Sequence, residues 1–106
     1  MNERGIAAVE VDARGRLLVR PESENASLYE YIYREANGLR WDRELHAICA
    51  YEASRWQHGE LLTHIVVTVR DALGENLKVT AATAWVGVSP ELERHLREVL
   101  SQGQPS

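Results

Sequence analysis

The sequence predicts an α+β protein: a two-layer sandwich with a mixed four-stranded sheet and three helices, in the order ββαβαβα. Short runs of alternating or β-branched apolar residues are separated by longer segments whose apolar residues recur at helical spacing. The chain has 106 residues, of which 44% are hydrophobic, and this is enough for one domain with its own core. We therefore expect a single domain over residues 1–100, followed by a flexible polar tail over residues 101–106.

The first two strands are predicted to form a β-hairpin. β-Favouring runs at 6–11 and 17–19 flank a turn that contains Gly15, and glycine can adopt the positive φ that such turns need. Pro21 ends the second strand because it has no N–H to donate to a β-ladder.

A helix is predicted next, over residues 27–37. Ser27 and Glu30 have the spacing of a capping box, and Leu28 begins an apolar stripe at helical spacing. Gly38 is a typical C-terminal stop because it can adopt the left-handed conformation there.

Residues 41–52 fit two patterns. With a period of two, Trp41, Leu45 and Cys49 share one face of a strand, but the same residues also align with a period of 3.6. A second capping box at residues 54–57 favours the strand, because a helix should begin at that box and not run through it.

The second helix is predicted to run from this capping box to Gly74. Its apolar stripe includes Leu61, Ile65 and Val69. Residues 63–70 are rich in β-branched side chains, so a strand is the alternative for this segment.

The last strand and the last helix complete the predicted order. The segment from Lys78 to Val88 reads as a central strand, because small apolar residues occupy both of its faces. Ser89 and Pro90 begin the final helix, since proline fits the first helical turn, and Leu96 belongs to its inner stripe.

Composition excludes several classes of protein. A net charge of −4 argues against nonspecific nucleic-acid binding, and the longest apolar runs are far short of the ~20 residues of a membrane span. Cys49 is a single cysteine and no apolar signal segment follows Met1, so we expect a cytoplasmic protein. Eleven arginines against one lysine are typical of a GC-rich bacterial genome, and the chain's size suits the product of a mobile gene cassette.

No catalytic, cofactor or metal motif stands out in the sequence. The glycines occur singly, so no phosphate-binding loop is predicted, and the zincin spacing of histidines is absent. Glu60 and His64 could supply two metal ligands, but two are not a site. Cys49 and His46 could meet as nucleophile and base only if their segment were helical. We therefore expect no cofactor, no metal ion and no catalytic residue.

The aromatic residues are the unusual feature of the composition. The chain has three Trp and four Tyr but no Phe, and Tyr and Trp are enriched at interfaces and binding pockets because they join an apolar body to a polar group. Tyr29 and Tyr33 lie off the apolar line of the first predicted helix and are predicted interface residues. A ligand pocket is predicted between the sheet and the helices, with three tryptophans as its lining and two polar residues beside them: Trp41, Trp56, Trp85, Glu44 and His46.

These observations favour a non-enzymatic binding or protein-interaction module. We expect it to be a homodimer, joined through the tyrosine-bearing helix or an open sheet edge. A small-molecule-binding domain that uses the Trp-lined pocket is the first alternative. An acidic antitoxin-type or immunity-type protein is the second, because residues 21–60 carry most of the net negative charge.

Overall fold

A computed structural model describes residues 2–22, 38–50 and 57–103. These residues form a mixed β-sheet and two helices, which confirms the predicted α+β class. The elements in chain order are β1 (Asn2–Val11), β2 (Leu17–Pro21), β3 (Leu39–Asp42), β4 (Ala47–Ala50), α1 (His58–Leu73), β5 (Glu75–Val86) and α2 (Pro90–Gly103).

The described sheet has five strands in the order β3-β4-β2-β1-β5. The β1–β2, β2–β4 and β3–β4 pairs are antiparallel, and β5 runs parallel to β1. The prediction of four strands was wrong in this detail. The placement of the last strand at the centre was also wrong, because β5 forms an edge of the described sheet. Its small side chains at Ala82 and Ala84 are exposed, so small residues on both faces here mark an open edge and not close packing.

Both helices pack against one face of the sheet. Ile65 from α1 and Leu96 from α2 are fully buried there, in the same cluster as Val9 and Leu77 from the sheet. Burial of such aliphatic side chains contributes about 1.5–3 kcal/mol each to folding. The helix-facing side of the sheet is therefore filled by core packing.

Residues 39–50 form a β-hairpin, where the sequence predicted one strand or a helix. The Asp42 carboxylate ends β3, because its Oδ1 accepts the N–H groups of Glu44 at 3.0 Å and Leu45 at 3.1 Å. His46 has a φ of 51° and lies in the left-handed region. An aspartate that bonds its own following amides is a strong turn former, and the period-two pattern across residues 41–49 obscured it.

Helix α1 begins after Gln57, whose side chain makes no capping hydrogen bond. The chain is helical through residues 63–70, so the strand alternative for this segment was wrong. The helix ends as predicted at Gly74, which has a φ of 69° and whose N–H donates to the carbonyl oxygen of Arg70. The predicted helix over residues 27–37 and most of the second capping box lie outside the described residues.

Helix α2 begins where the sequence predicted. The Ser89 hydroxyl accepts the N–H of Leu92 at 3.2 Å, and Pro90 is the first helical residue. Glu91 and Glu93 lie in the first turn, where the helix dipole favours negative charge.

A β-bulge in β1 places two core residues on one face. Ile6 and Val9 are both fully buried in the cluster beneath the helices, although residues three apart in a regular strand point to opposite faces. The pairing of β1 with β2 shifts between Ile6 and Ala8, which supplies the extra residue.

The pairing of β1 with β5 is interrupted at the same place, between residues 79 and 84 of β5. Thr83 lies in this interruption. Its buried hydroxyl donates to the carbonyl oxygen of Ile6 at 2.6 Å and accepts the N–H of Thr80 at 2.9 Å. One side chain thus joins backbone groups of both strands beside the interruption in the ladder.

The turn between β1 and β2 is held by Asp12. Its Oδ1 accepts the N–H groups of Arg14 and Arg16, each at 2.9 Å, and its Oδ2 accepts Arg16 Nε at 2.8 Å. The hydrogen bond from the Arg16 N–H holds the pKa of Asp12 below its ordinary value, and the Arg16 guanidinium acts in the same direction. The carboxylate therefore stabilises the hairpin in its charged form.

Acidification is expected to weaken this turn. Because the folded pKa of Asp12 is depressed, its contribution is complete above the ordinary carboxyl pKa near 4 and is lost as the pH falls through the folded value. Asp12→Asn should lower the free energy of unfolding at neutral pH by about 1 kcal/mol. Denaturant unfolding of both proteins across the acid range measures this. Parallel stability curves for wild type and variant would contradict the account.

Candidate functional site: a groove between the two helices

An open groove lies between α1 and α2, on the side of the helices away from the sheet. Its volume is about 660 Å³, within the range of small-molecule sites. Val67 and Val99 give it apolar surface, and Glu60, His64 and His95 give it ionisable groups. The remaining lining residues are Gln57, Gly59 and Thr63.

Gly59 allows the two helices to approach closely at this groove. A Cβ atom at position 59 would lie 2.9 Å from His95 Nε2 and 3.4 Å from Val99 Cγ2. The His95 imidazole therefore lies over the glycine and forms one wall. An isolated glycine within a helical pattern was the signal available in the sequence, since such a residue usually has a packing reason.

The polar groups of the groove differ in what they can still bind. The Thr63 hydroxyl donates to the carbonyl oxygen of Gly59 at 3.0 Å, so its hydrogen is already used. Glu60 and His95 are exposed, and their carboxylate and imidazole can meet a ligand. The groove can thus hold an apolar group against its valines and polar groups at its rim.

A second concavity of about 260 Å³ lies on α1 beside this groove. His64 and Val67 line both, so the two are neighbours. The second is completed by Thr68, Asp71 and Ala72. Across the described ranges, no group of three or more His, Cys, Asp or Glu residues is placed to hold a metal ion.

The β3–β4 hairpin brings together two of the predicted site residues. The rings of Trp41 and His46 meet edge to face, with centroids 6.3 Å apart and planes at 74°. Glu44 is exposed in the same turn. These three residues lie on one hairpin at an edge of the described sheet, away from the interhelix groove.

Trp85 lies at the opposite edge of the described sheet from Trp41. Both tryptophans are on the face of the sheet that the helices cover. They are the two ends of a row of cross-strand neighbours, and four strand spacings, roughly 19 Å, separate them. The described side chains between them belong to the core, and a pocket that all three tryptophans share stays a prediction. The row runs Trp41, Ile48, Val19, Val9, Trp85.

The indole of Trp85 contacts a side chain of helix α2. Arg97 of α2 places its guanidinium carbon 5.0 Å from the ring centroid, a cation–π contact. The indole Nε1 is buried and has no hydrogen-bond partner in the described part of the chain. Trp56, Tyr29 and Tyr33 lie outside the described residues, so their roles stay predictions.

The close contact between Gly59 and His95 predicts a coupling between two substitutions. Gly59→Ala favours the helix by less than the ~1 kcal/mol of a helix interior, because position 59 is the second residue of α1, and its Cβ must displace the imidazole. We expect little change in stability from Gly59→Ala alone and a gain of up to about 1 kcal/mol in a His95→Ala background. Thermal or denaturant unfolding of the four proteins in this cycle measures it. Equal effects of Gly59→Ala in both backgrounds would show that the two side chains do not meet.

No described helix is long and apolar enough to cross a membrane. No family model and no curated protein matches the sequence. Among solved structures, the chain is similar to an integron cassette protein from the mobile metagenome of the North West Arm sewage outfall. The two are 29% identical, with a TM-score of 0.42, over 95% of this chain and 98% of that one. Origin from a mobile gene cassette stays a prediction from the sequence.

Proposed function

We propose that the protein is a non-enzymatic binding module that holds its ligand in the groove between α1 and α2. The observation that carries this proposal is the groove's combination of size and lining. The groove has a volume of about 660 Å³, and it is lined by apolar side chains from two helices and by ionisable groups at its rim. Sites for small ligands have this size and this mixture of lining. The proposal keeps the function that the sequence favoured and places the ligand between the helices.

A blocked variant tests the location of the site. Thr63 lines the groove and is half-buried, so Thr63→Trp fills the space with a large side chain on a helix that tolerates it. Arg94→Trp adds the same side chain at an exposed position of α2 that does not line the groove, and it serves as the control. Both variants should fold, because neither position belongs to the buried core.

Thermal unfolding in a panel of metal ions, nucleotides, amino acids, amines and short peptides supplies the measurement. A ligand at one hundred times its dissociation constant adds about 2.7 kcal/mol, which raises the midpoint of a domain of this size by several degrees. Shifts that disappear in Thr63→Trp and persist in Arg94→Trp support the proposal. Shifts that persist in Thr63→Trp place the site elsewhere, and a flat panel contradicts binding of these classes.

Homodimerisation is a second proposal, favoured by β5. The outer edge of β5 pairs with no strand in the described part of the chain. Val86, at the end of β5, is a large apolar residue that is 46% exposed. Unpaired strand edges are templates for pairing with another chain, and two copies of β5 could pair across a two-fold axis.

A solution mass tests the dimer directly. Light scattering at high protein concentration should give the mass of two protomers for the wild type. Val86→Lys should shift the mass toward one protomer, because it removes the exposed apolar side chain and a lysine on an edge strand opposes pairing with another chain. Glu98→Lys changes the charge at an exposed position on α2 and should leave the dimer intact. A wild-type mass of one protomer would remove the proposal.

The acidic antitoxin or immunity role rests on the charge of segment 21–60. Residues 23–37 and 51–56 of that segment lie outside the described part, so this role stays a prediction from the sequence.

A further inference from the structure

The first turn of α1 forms one end of the groove, and its own cap does not hold it. Gln57, Gly59 and Glu60 line the groove there. The Gln57 side chain makes no capping hydrogen bond, and an uncapped helix start leaves backbone N–H groups without an intrahelical partner. The helical bond that closes this turn runs from the N–H of Leu61 to the carbonyl oxygen of Gln57, at 2.9 Å. Contacts from outside the helix therefore decide how firmly this end of α1 is held.

His58 supplies a contact of this kind. It is half-buried and stands in the chain between two residues that line the groove. Its Nε2 lies 2.9 Å from the carbonyl oxygen of Gly15, 43 residues away. A carbonyl oxygen can only accept, so the imidazole donates this hydrogen bond in its neutral and in its protonated form. The bond joins the first turn of α1 to the turn between β1 and β2.

The Gly15 carbonyl belongs to a turn that Asp12 organises. Gly15 has a φ of 80°, and its N–H donates to the Asp12 carbonyl oxygen at 2.9 Å. The Asp12 carboxylate accepts the N–H groups of Arg14 and Arg16 on either side of Gly15. These bonds set the direction of the Gly15 carbonyl, and with it the acceptor that His58 meets.

We propose that His58 is a positioning residue for the groove, which it holds in shape by fastening the first turn of α1 to the β1–β2 turn. The His95 imidazole lies directly over Gly59, so a shift of that first turn changes the contact between the two walls. The inference rests on the proposed function, since it names what keeps the same groove ready for its ligand.

Hydrogen exchange of backbone amides, measured on the full chain without ligand, tests the positioning role. The Leu61 amide measures opening of the first turn, and the Val69 amide, in the buried middle of the same helix, measures opening of the whole helix. His58→Leu should speed exchange at Leu61 about fivefold relative to Val69, as expected for the loss of one hydrogen bond. His58→Gln keeps an N–H donor at a similar distance from the main chain, and it should restore most of the protection.

A second pair of variants tests the link through the turn. Asp12→Ala should also speed exchange at Leu61, but it should have no further effect in the His58→Leu background, because the bond that carries the coupling is already gone. Asp42→Ala is the matched control, since Asp42 holds the β3–β4 turn with the same kind of bonds. It should leave the ratio of the Leu61 and Val69 exchange rates unchanged.

Four results would overturn the inference. They are unchanged Leu61 exchange in His58→Leu, an equal loss of protection in His58→Gln, equal effects of Asp12→Ala in both backgrounds, and the same effect from Asp42→Ala. Failure of the proposed function is separable, because the exchange measurement uses no ligand. A panel compound that Thr63→Trp blocks keeps the groove as the site whatever the exchange shows, and equal affinity of wild type and His58→Leu for that compound would remove the positioning role alone.

Discussion

Replacing Gly87 with alanine is expected to lower the free energy of unfolding by about 3 kcal/mol or more. Gly87 has a φ of 67°, in the left-handed region, and a Cβ there would overlap the backbone carbonyl oxygen of Val11. The left-handed conformation alone costs a non-glycine residue roughly 1–2 kcal/mol. The overlap adds a packing cost of about 1–3 kcal/mol, because a backbone oxygen cannot rotate away as a side chain can.

Gly15→Ala is the matched control for this prediction. Gly15 has a φ of 80°, but nothing lies within 4 Å of an added Cβ beyond its chain neighbours. Its substitution should therefore cost only the conformational strain, about 1–2 kcal/mol. Urea unfolding of both variants separates the two contributions. Equal losses would show that the close approach of Gly87 to Val11 does not constrain the fold.

Leu96→Ala is expected to lower the free energy of unfolding by about 3 kcal/mol, within the range for buried leucines. Leu96 is 0% exposed and belongs to the cluster that joins α2 to α1 and the sheet. Because it is adjacent to His95, loss of its packing should also loosen one wall of the groove and weaken any ligand bound there.

Leu92→Ala provides the comparison on the same helix. Leu92 is half-buried and packs at the margin of the cluster, so its removal should cost about 1 kcal/mol. Denaturant unfolding of both variants, with the thermal shift of a panel compound measured on each, tests the account. A loss in Leu96→Ala no greater than that in Leu92→Ala would mean that α2 is not anchored through this residue.

Helix ends that are set by one residue's own backbone or side chain were predictable from the sequence. Gly74 ends a helix with its own N–H, and Ser89 caps the next helix with its hydroxyl. The hairpin at 39–50 was not predictable from periodicity, because Asp42 makes the turn and a histidine takes the left-handed position. In β5 small residues were compatible with both a central strand and an edge.

The candidate site was the least predictable part of the molecule. Period-two patterning gives the face of a strand but no distance across a sheet, so Trp41 and Trp85 share a face and stand at opposite edges. Gly59 and His95 both line the groove and meet where the two helices pack. They are 36 residues apart in the chain, and no local pattern links them.

Amide chemical-shift mapping tests most directly whether the interhelix groove is the binding surface. A ¹⁵N-labelled sample is titrated with the compound that gives the largest thermal shift in the panel. The account predicts that the perturbed amides cluster at residues 57–67 and 95–99, and that those of residues 39–50 remain unchanged. Perturbations centred on the Trp41–His46 hairpin or on β5, with the helix amides unmoved, would contradict it.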